Sequence, residues 1–319
     1  MKFKDLKVGD SNIVINALVI DCKIKQTVNQ TPYYGLVISD GDDNCDARIW
    51  SIALVNNLKA EKVENGEVYK MTIKVNDYAG KNQIIITKIE DHDEDLDLSS
   101  FFKSAPINRD ELENYINQTM EKLQNPVLQK IVYDVITPRR SKYFAHPAAV
   151  TMHHNYIGGL AHHVYSMLKL AERFVENYPV LNFDLLASGI LIHDIGKLEE
   201  ISDGKAPSYS KEGNLLGHIV IGMNILHDVL VMNGYEATEE GLALMHMIAS
   251  HHGELEYGSP KEPLILEALA LHLIDLTDAK LAGCAEFIQK TPKGLYSSAI
   301  PSIGKKAFYV PNIENPEDE

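Results

Sequence analysis

The sequence predicts an α+β protein of two domains, an N-terminal five-stranded β-barrel followed by an all-α helical bundle. Up to about residue 90, apolar residues alternate in short runs broken by Asp-Gly and Asn-Gly pairs, the pattern of strands and tight turns. From residue 108 they recur at helical spacing. Between the two lies a run from Glu90 to Asp97 with six acids, which breaks the β pattern and reads as a solvated linker. With 319 residues and 45% apolar content the chain can bury two ordinary cores. The expected boundaries are a barrel over 1–90, a linker over 91–107, a bundle over 108–285 and an extension with an acidic tail over 286–319.

The strands read as Ile13 to Ile20, Tyr33 to Gly41, Asp46 to Trp50, Val68 to Val75 and Gln83 to Ile89, with a helix-compatible segment, Ile52 to Leu58, after the third. Five strands with a helix at that point is the layout of an OB-fold, a small barrel whose face binds oligonucleotides. The stretch Tyr34-Gly35-Leu36-Val37-Ile38-Ser39-Asp40-Gly41 with Ala47-Arg48-Ile49-Trp50 resembles the centre of nucleic-acid-binding OB domains. Tyr33, Tyr34, Trp50 and Tyr78 offer stacking faces, and Lys23, Lys25, Arg48, Lys74 and Lys81 can track a phosphate backbone. The bland alternative is that half of these aromatics fill the barrel. The RNA-binding set expected on this domain is Tyr33, Tyr34, Arg48, Trp50 and Lys81.

Composition narrows the classes. The three cysteines, Cys22, Cys45 and Cys284, are odd in number and lack Cys-x-x-Cys spacing, so neither a disulfide framework nor a thiolate zinc knuckle is supported. A net charge of −15 argues against a surface coated with phosphate-binding lysines, although the first domain is nearly balanced in charge. No stretch suggests an uninterrupted apolar run long enough to span a bilayer, and Met1-Lys2-Phe3-Lys4-Asp5 lacks the apolar core of a signal peptide. The expectation is a soluble, cytoplasmic protein that works as a homo-oligomer, with neighbouring subunits aiding capture of an anionic partner.

Asn108 with Glu111 reads as a capping box opening a helix from about Arg109 to Gln124, and Pro126 starts another that reaches Ile136. The most basic short stretch, Pro138 to Phe144, holds Arg139 and Arg140, which either grip phosphates or belong to an exposed helix connection.

The chemistry lies further on. An apolar helix, Phe183 to His193, ends in His193-Asp194 with Gly196 and Lys197 behind it. At a helix terminus an imidazole and a carboxylate can turn into one cavity and serve a divalent ion. His163 falls on the apolar face of the preceding helix near Met167 and Leu170, whereas His162 points about 100° away. His218, His251-His252 and Asp275 follow on three more apolar helices. A buried imidazole must be hydrogen-bonded or ligated. One such histidine is more often structural, but five consecutive helices converging on the same chemistry favour a metal site.

The order His, His-Asp, His, His-His, Asp on consecutive helices resembles the HD-domain metal-dependent phosphohydrolases. That resemblance implies one ion on His163, His193, Asp194 and Asp275, and a second on His218, His251 and His252 with Asp194 bridging. It also implies that Lys197 contacts substrate phosphate. Two aspartates compete for the last ligand, and Asp278 stands in reserve behind Asp275. The barrel ahead of this domain, with His153-His154-Asn155-Tyr156, Gly158-Gly159-Leu160 and Ser250-His251-His252-Gly253, is similar to the YhaM-type 3′-5′ exoribonuclease family over residues 5 to 310.

The family implies hydrolysis of single-stranded RNA, with single-stranded DNA as a further partner, from the 3′ end to nucleoside 5′-monophosphates. It suggests Mn²⁺, while a nitrogen-rich site with carboxylates also suits Fe²⁺ or Zn²⁺. The catalytic set is then Asp194, Lys197 and His218. Two other readings compete: the same site acting on a nucleotide or cyclic dinucleotide with a regulatory barrel, and a non-enzymatic RNA-binding scaffold whose metal site is structural.

Overall fold

Alternation in the first ninety residues becomes five strands, β1 (Ser11–Gln26), β2 (Pro32–Ser39), β3 (Asn44–Ile49), β4 (Val68–Tyr78) and β5 (Lys81–Asp91). They form a closed barrel in the order β1-β2-β3-β5-β4. Neighbours run antiparallel except β3 and β5, which close the barrel in parallel with Ala47 opposite Ile84. The computed structural model describes residues 2–41, 43–50, 63–78, 81–101, 105–149, 156–202 and 208–313, with backbone alone at 78, 81, 82 and 99. The expected helix from Ile52 to Leu58, the His153-His154-Asn155 motif and the acidic tail lie outside them.

The period of two is visible in the core, where Ile15, Ala17 and Val19, Leu36 and Ile38, Ala47 and Ile49, Met71, Ile73 and Val75, and Ile84 and Ile86 all point inward. Each fully buried Ile or Leu contributes about 1.5–3 kcal/mol. β1 runs longer than its apolar pattern suggests. It pairs with β4 through its first half and with β2 through its second, and a register shift between Val19 and Asp21 lets it bend from one to the other.

The acidic segment does not leave the barrel at once. Leu96, Leu98 and Phe101 pack on Leu18, Ile20 and Val68, so apolar residues set among the charges hold it against the strands. Accordingly the chain divides into two compact units, Met1–Lys103 and Ser104–Ser202 with Ser208–Glu319.

The second unit is helical: α1 (Arg109–Lys122), α2 (Pro126–Ile136), α3 (Arg140–Tyr143), α4 (Gly159–Asn177), α5 (Phe183–Ile192), α6 (Lys197–Glu200), α7 (Lys211–Asn233), α8 (Glu239–Ser250) and α9 (Leu266–Gln289). Side-chain caps open most of the longer ones. Asn108, Asn125, Asn182, Ser210 and Thr238 each accept a first-turn backbone N–H. Their apolar faces meet in one core that includes Ile116, Ile131, Val135, Leu160, Val164, Leu168, Leu186, Ile190, Leu226, Met247, Leu271 and Ile274. The buried Tyr143 hydroxyl donates to the Leu191 carbonyl at 2.8 Å, tying α3 to the end of α5.

By length and composition alone α7 would reach across a membrane, as the core helix of a bundle also does; Gly217 breaks it, and its apolar face (Ile221, Ile225, Leu226, Val229, Leu230) packs in the bundle core. α9 runs to Gln289, past the boundary expected at 285, and short bridges Tyr296↔Tyr309 and Ile300↔Lys306 order the extension beyond it.

Candidate metal centre

Helix ends build the centre. α5 is apolar but for Asp184 and Ser188, so it sits in the core and delivers its C-cap, His193, into the interior at 0% exposure. The last carbonyls of a helix have no intrahelical donor. His193 uses one, donating its Nδ1–H to Ile190 O at 2.8 Å. His251, the C-cap of α8, repeats the arrangement with Ile248 O at 2.8 Å. In both rings the proton is thereby placed on Nδ1, and the Nε2 lone pair is left for another partner. Two helix C-termini also bring partial negative charge to the cavity, which favours a cation.

The chain turns sharply after His193 because Gly196 lies against α7. A Cβ there would stand 2.0 Å from His218 O and 2.7 Å from Gly222 N. This close approach brings α7 to Asp194. At Gly217 α7 breaks (φ 72°, ψ 158°), and the break turns His218 inward. Its Nδ1 donates to Glu200 Oε1 at 3.1 Å, and the same oxygen accepts the His218 backbone N–H at 3.0 Å. His252, following His251, donates Nδ1 to Tyr257 O at 2.7 Å.

α4 and α9 close the other side. Buried His163 donates Nδ1 to Asp278 Oδ2 at 2.7 Å, while its Nε2 faces Asp275 Oδ1 at 3.2 Å. The second Asp278 oxygen accepts the Ser166 hydroxyl, one turn along α4 from His163. The two candidate aspartates therefore face different nitrogens of one imidazole: Asp275 meets the nitrogen turned to the cavity, and Asp278 the one turned away.

Asp194 lies between two groups of donors. One holds His163, His193 and Asp194, the other His218, His251 and His252. Its Oδ2 is 3.3 Å from His193 Nε2 and accepts from Lys197 Nζ at 2.6 Å. Its Oδ1 looks to the other group, 3.6 Å from His218 Nε2 and 3.7 Å from His251 Nε2. Among the described residues, buried His193 Nε2, His218 Nε2, His251 Nε2 and Asp194 Oδ1 have no hydrogen-bond partner. Four orphaned polar atoms in one cavity carry a desolvation cost of about 1–3 kcal/mol each unless something binds them. Imidazole nitrogens and a carboxylate oxygen fit a divalent transition-metal ion.

Protonation agrees with that use. Burial opposes the charge on Asp194, yet Lys197 and His193 hold its carboxyl well below the usual carboxylate range. Burial and the nearby imidazoles push His251 and His252 down, so both stay neutral with lone pairs free. Burial opposes the charge on Lys197, but Asp194 outweighs it and keeps the ammonium protonated. His163 differs: burial disfavours its charge, yet Asp275 and Asp278 raise it to about 9.

The structure thus brings together His163, His193, Asp194, Lys197, His218, His251, His252 and Asp275. It also adds Glu200, Asp278 and Ser166 as orienting groups that spacing did not reveal. On the barrel, the Tyr33 and Trp50 rings lie 4.9 Å apart, tilted by 35°, and the Arg48 guanidinium lies over both at 5.4 and 5.5 Å. Tyr34 packs against the barrel core instead, one residue out of phase with Tyr33. The Lys81 side chain lies outside the described residues. Arg139 donates to Val135 O at 3.1 Å. Arg140 commits its guanidinium to Asn117 and Glu113 of α1, at 2.8 and 2.9 Å, and covers the Phe144 ring. That is the helix-connection reading of this basic stretch.

Residues 160–280 match the HD domain family. The chain is 33% identical to the 3′-5′ exoribonuclease YhaM of Listeria innocua over 97% of its own length and 98% of the relative's. It is 33% identical to YhaM of Oceanobacillus iheyensis over 91% of each chain, and 36% identical to that of a Geobacillus species over 89% of this chain and 87% of the relative. With its helical unit built around the paired histidine and aspartate, the chain belongs to the YhaM family of HD-domain 3′-5′ exoribonucleases.

Proposed function

We propose that the protein trims single-stranded RNA from its 3′ end, releasing nucleoside 5′-monophosphates, at a centre of two divalent ions. The observation that carries this reading is the convergence of three unpartnered Nε2 atoms and one Asp194 oxygen in a single buried cavity. His163, His193, Asp194 and Asp275 would hold one ion, and His218, His251 and His252 the other, with Asp194 serving both. Mn²⁺ suits the mixed nitrogen and carboxylate set, as do Fe²⁺ and Zn²⁺. The bound ions supply Lewis acidity at the scissile phosphate.

The protein's own groups orient and neutralise. Lys197, fixed on Asp194, places a permanent positive charge beside the reacting phosphate and offsets charge as it develops there. His218 is held as a ligand by Glu200. We assign the five-stranded barrel as an OB-fold on its strand order. Tyr33, Trp50 and Arg48 would stack bases and meet a phosphate there, with Lys81 adding charge. We take the protein to act in the cytoplasm as a homo-oligomer, in which neighbouring copies aid capture of the strand.

The test is Asp194→Asn assayed on 5′-labelled single-stranded RNA with Mn²⁺. Loss of the shared carboxylate should slow stepwise trimming on the order of 10²–10³-fold. Undiminished trimming would sink the assignment. Cyclic dinucleotides, nucleoside triphosphates and single-stranded DNA belong in the same assay, and faster turnover of any of them than of RNA moves the reading to that substrate.

A further inference from the structure

Of the five imidazoles in the centre, His193, His251 and His252 are oriented by backbone carbonyls. The other two are oriented by carboxylates, His218 by Glu200 and His163 by Asp278. One carboxylate-backed imidazole falls in each of the two donor groups.

A carbonyl and a carboxylate both fix which nitrogen carries the proton. Only the carboxylate adds a full charge, which makes the opposite nitrogen more basic and holds it more firmly on a cation. Both acids are built in. Glu200 is 8% exposed and Asp278 7%. Glu200 grips His218 twice on one oxygen, through ring and backbone N–H, and the second contact exists because Gly217 breaks α7. Asp278 uses both oxygens, one on His163 and one on Ser166, so its plane is fixed by two donors from α4.

We infer that Glu200 and Asp278 are positioning carboxylates, each tuning the affinity of one ion, Glu200 through His218 and Asp278 through His163. The inference rests on the two-ion reading above. Glu200→Gln keeps an oxygen acceptor and removes the charge; Glu200→Leu removes both. Asp278→Asn treats the other ion in the same way.

The full-length protein, stripped of metal by a chelator, is titrated with Mn²⁺ by calorimetry, and His218→Ala identifies which binding event belongs to which donor group. Glu200→Gln should weaken the His218-side event about 10-fold and Glu200→Leu about 100-fold, with the His163-side event unmoved. Asp278→Asn, titrated above pH 9 where no proton on His163 competes with the ion, should do the reverse. In Glu200→Gln, trimming should fall at limiting Mn²⁺ and return when Mn²⁺ is raised, which a general loss of fold would not permit. Unchanged affinities in all variants overturn the inference, as does equal weakening of both events by each variant. Should Glu200→Leu fail to fold by circular dichroism, the two isosteric variants decide alone. A wild-type protein that takes up no divalent ion overturns the two-ion reading and this inference with it, whereas normal wild-type uptake with unmoved variants overturns the inference only.

Discussion

His163 makes the centre sensitive to pH. Raised to about 9 by Asp275 and Asp278, which outweigh its burial, it carries a proton at neutral pH that an ion must displace from Nε2. Affinity for the His163-side ion should therefore rise about tenfold per unit between pH 7 and 9 and then level off. Calorimetry in buffers of different ionisation heat would show release of about one proton, and a flat profile would remove His163 from the ligand set. In the metal-free protein the same shift stabilises the fold below pH 6.5, and that contribution is lost as pH climbs through 9. The histidines that the structure brings together were legible because they recur in one order on consecutive apolar helices, whereas a single buried imidazole is more often structural. Glu200 was not, since Glu199-Glu200 after a lysine reads as a solvated first turn, and only the break at Gly217 folds His218 back onto it. Asp275 and Asp278 lie three residues apart on one helix face, so spacing could not separate the acid facing the cavity from the acid behind the ring.

At the level of elements, the joint between the turn after α5 and helix α7 leaves no room for a side chain at Gly196. Gly196→Ala would drive a methyl into His218 O and Gly222 N, and α7 must move. Such overpacking costs about 1–3 kcal/mol. The expected result is a lower melting temperature together with weaker binding of the His218-side ion; a melting temperature equal to wild type would show that α7 yields freely. The apolar run of α5 made that helix readable from Phe183, and Pro126 marked α2 from its first residue. Asn108 was readable as the cap of α1, where it accepts from Asp110 N. Strand length came instead from pairing. β1 extends to Gln26 because β2 supplies partners for its polar second half.

For the whole molecule, capture of the strand and its hydrolysis are assigned to separate compact units. On the barrel, Trp50→Ala should cost about 1–3 kcal/mol of affinity for single-stranded RNA and leave its salt dependence unchanged. Arg48→Ala should also flatten that dependence, by a slope of about 0.7 for one phosphate contact. Fluorescence anisotropy at several salt concentrations reads both, and unchanged binding in the two variants would move RNA capture off this face. The aromatic pair was legible as composition, but β-strand phase decides that Tyr33 faces out with Trp50 while Tyr34 turns in.

His193 and His251 share one more property: each is the residue that ends its helix, and each is aimed by the carbonyl three positions earlier. Helix length therefore acts as a ruler. Apolar residues along α5 and α8 can be exchanged for others of similar volume over evolutionary time without disturbing the aim of either ring. A single inserted or deleted residue would rotate the terminal imidazole by about 100° and carry it 1.5 Å along the axis. The lineage of this protein is thus free to drift in the letters of these two helices, but not in how many letters they contain.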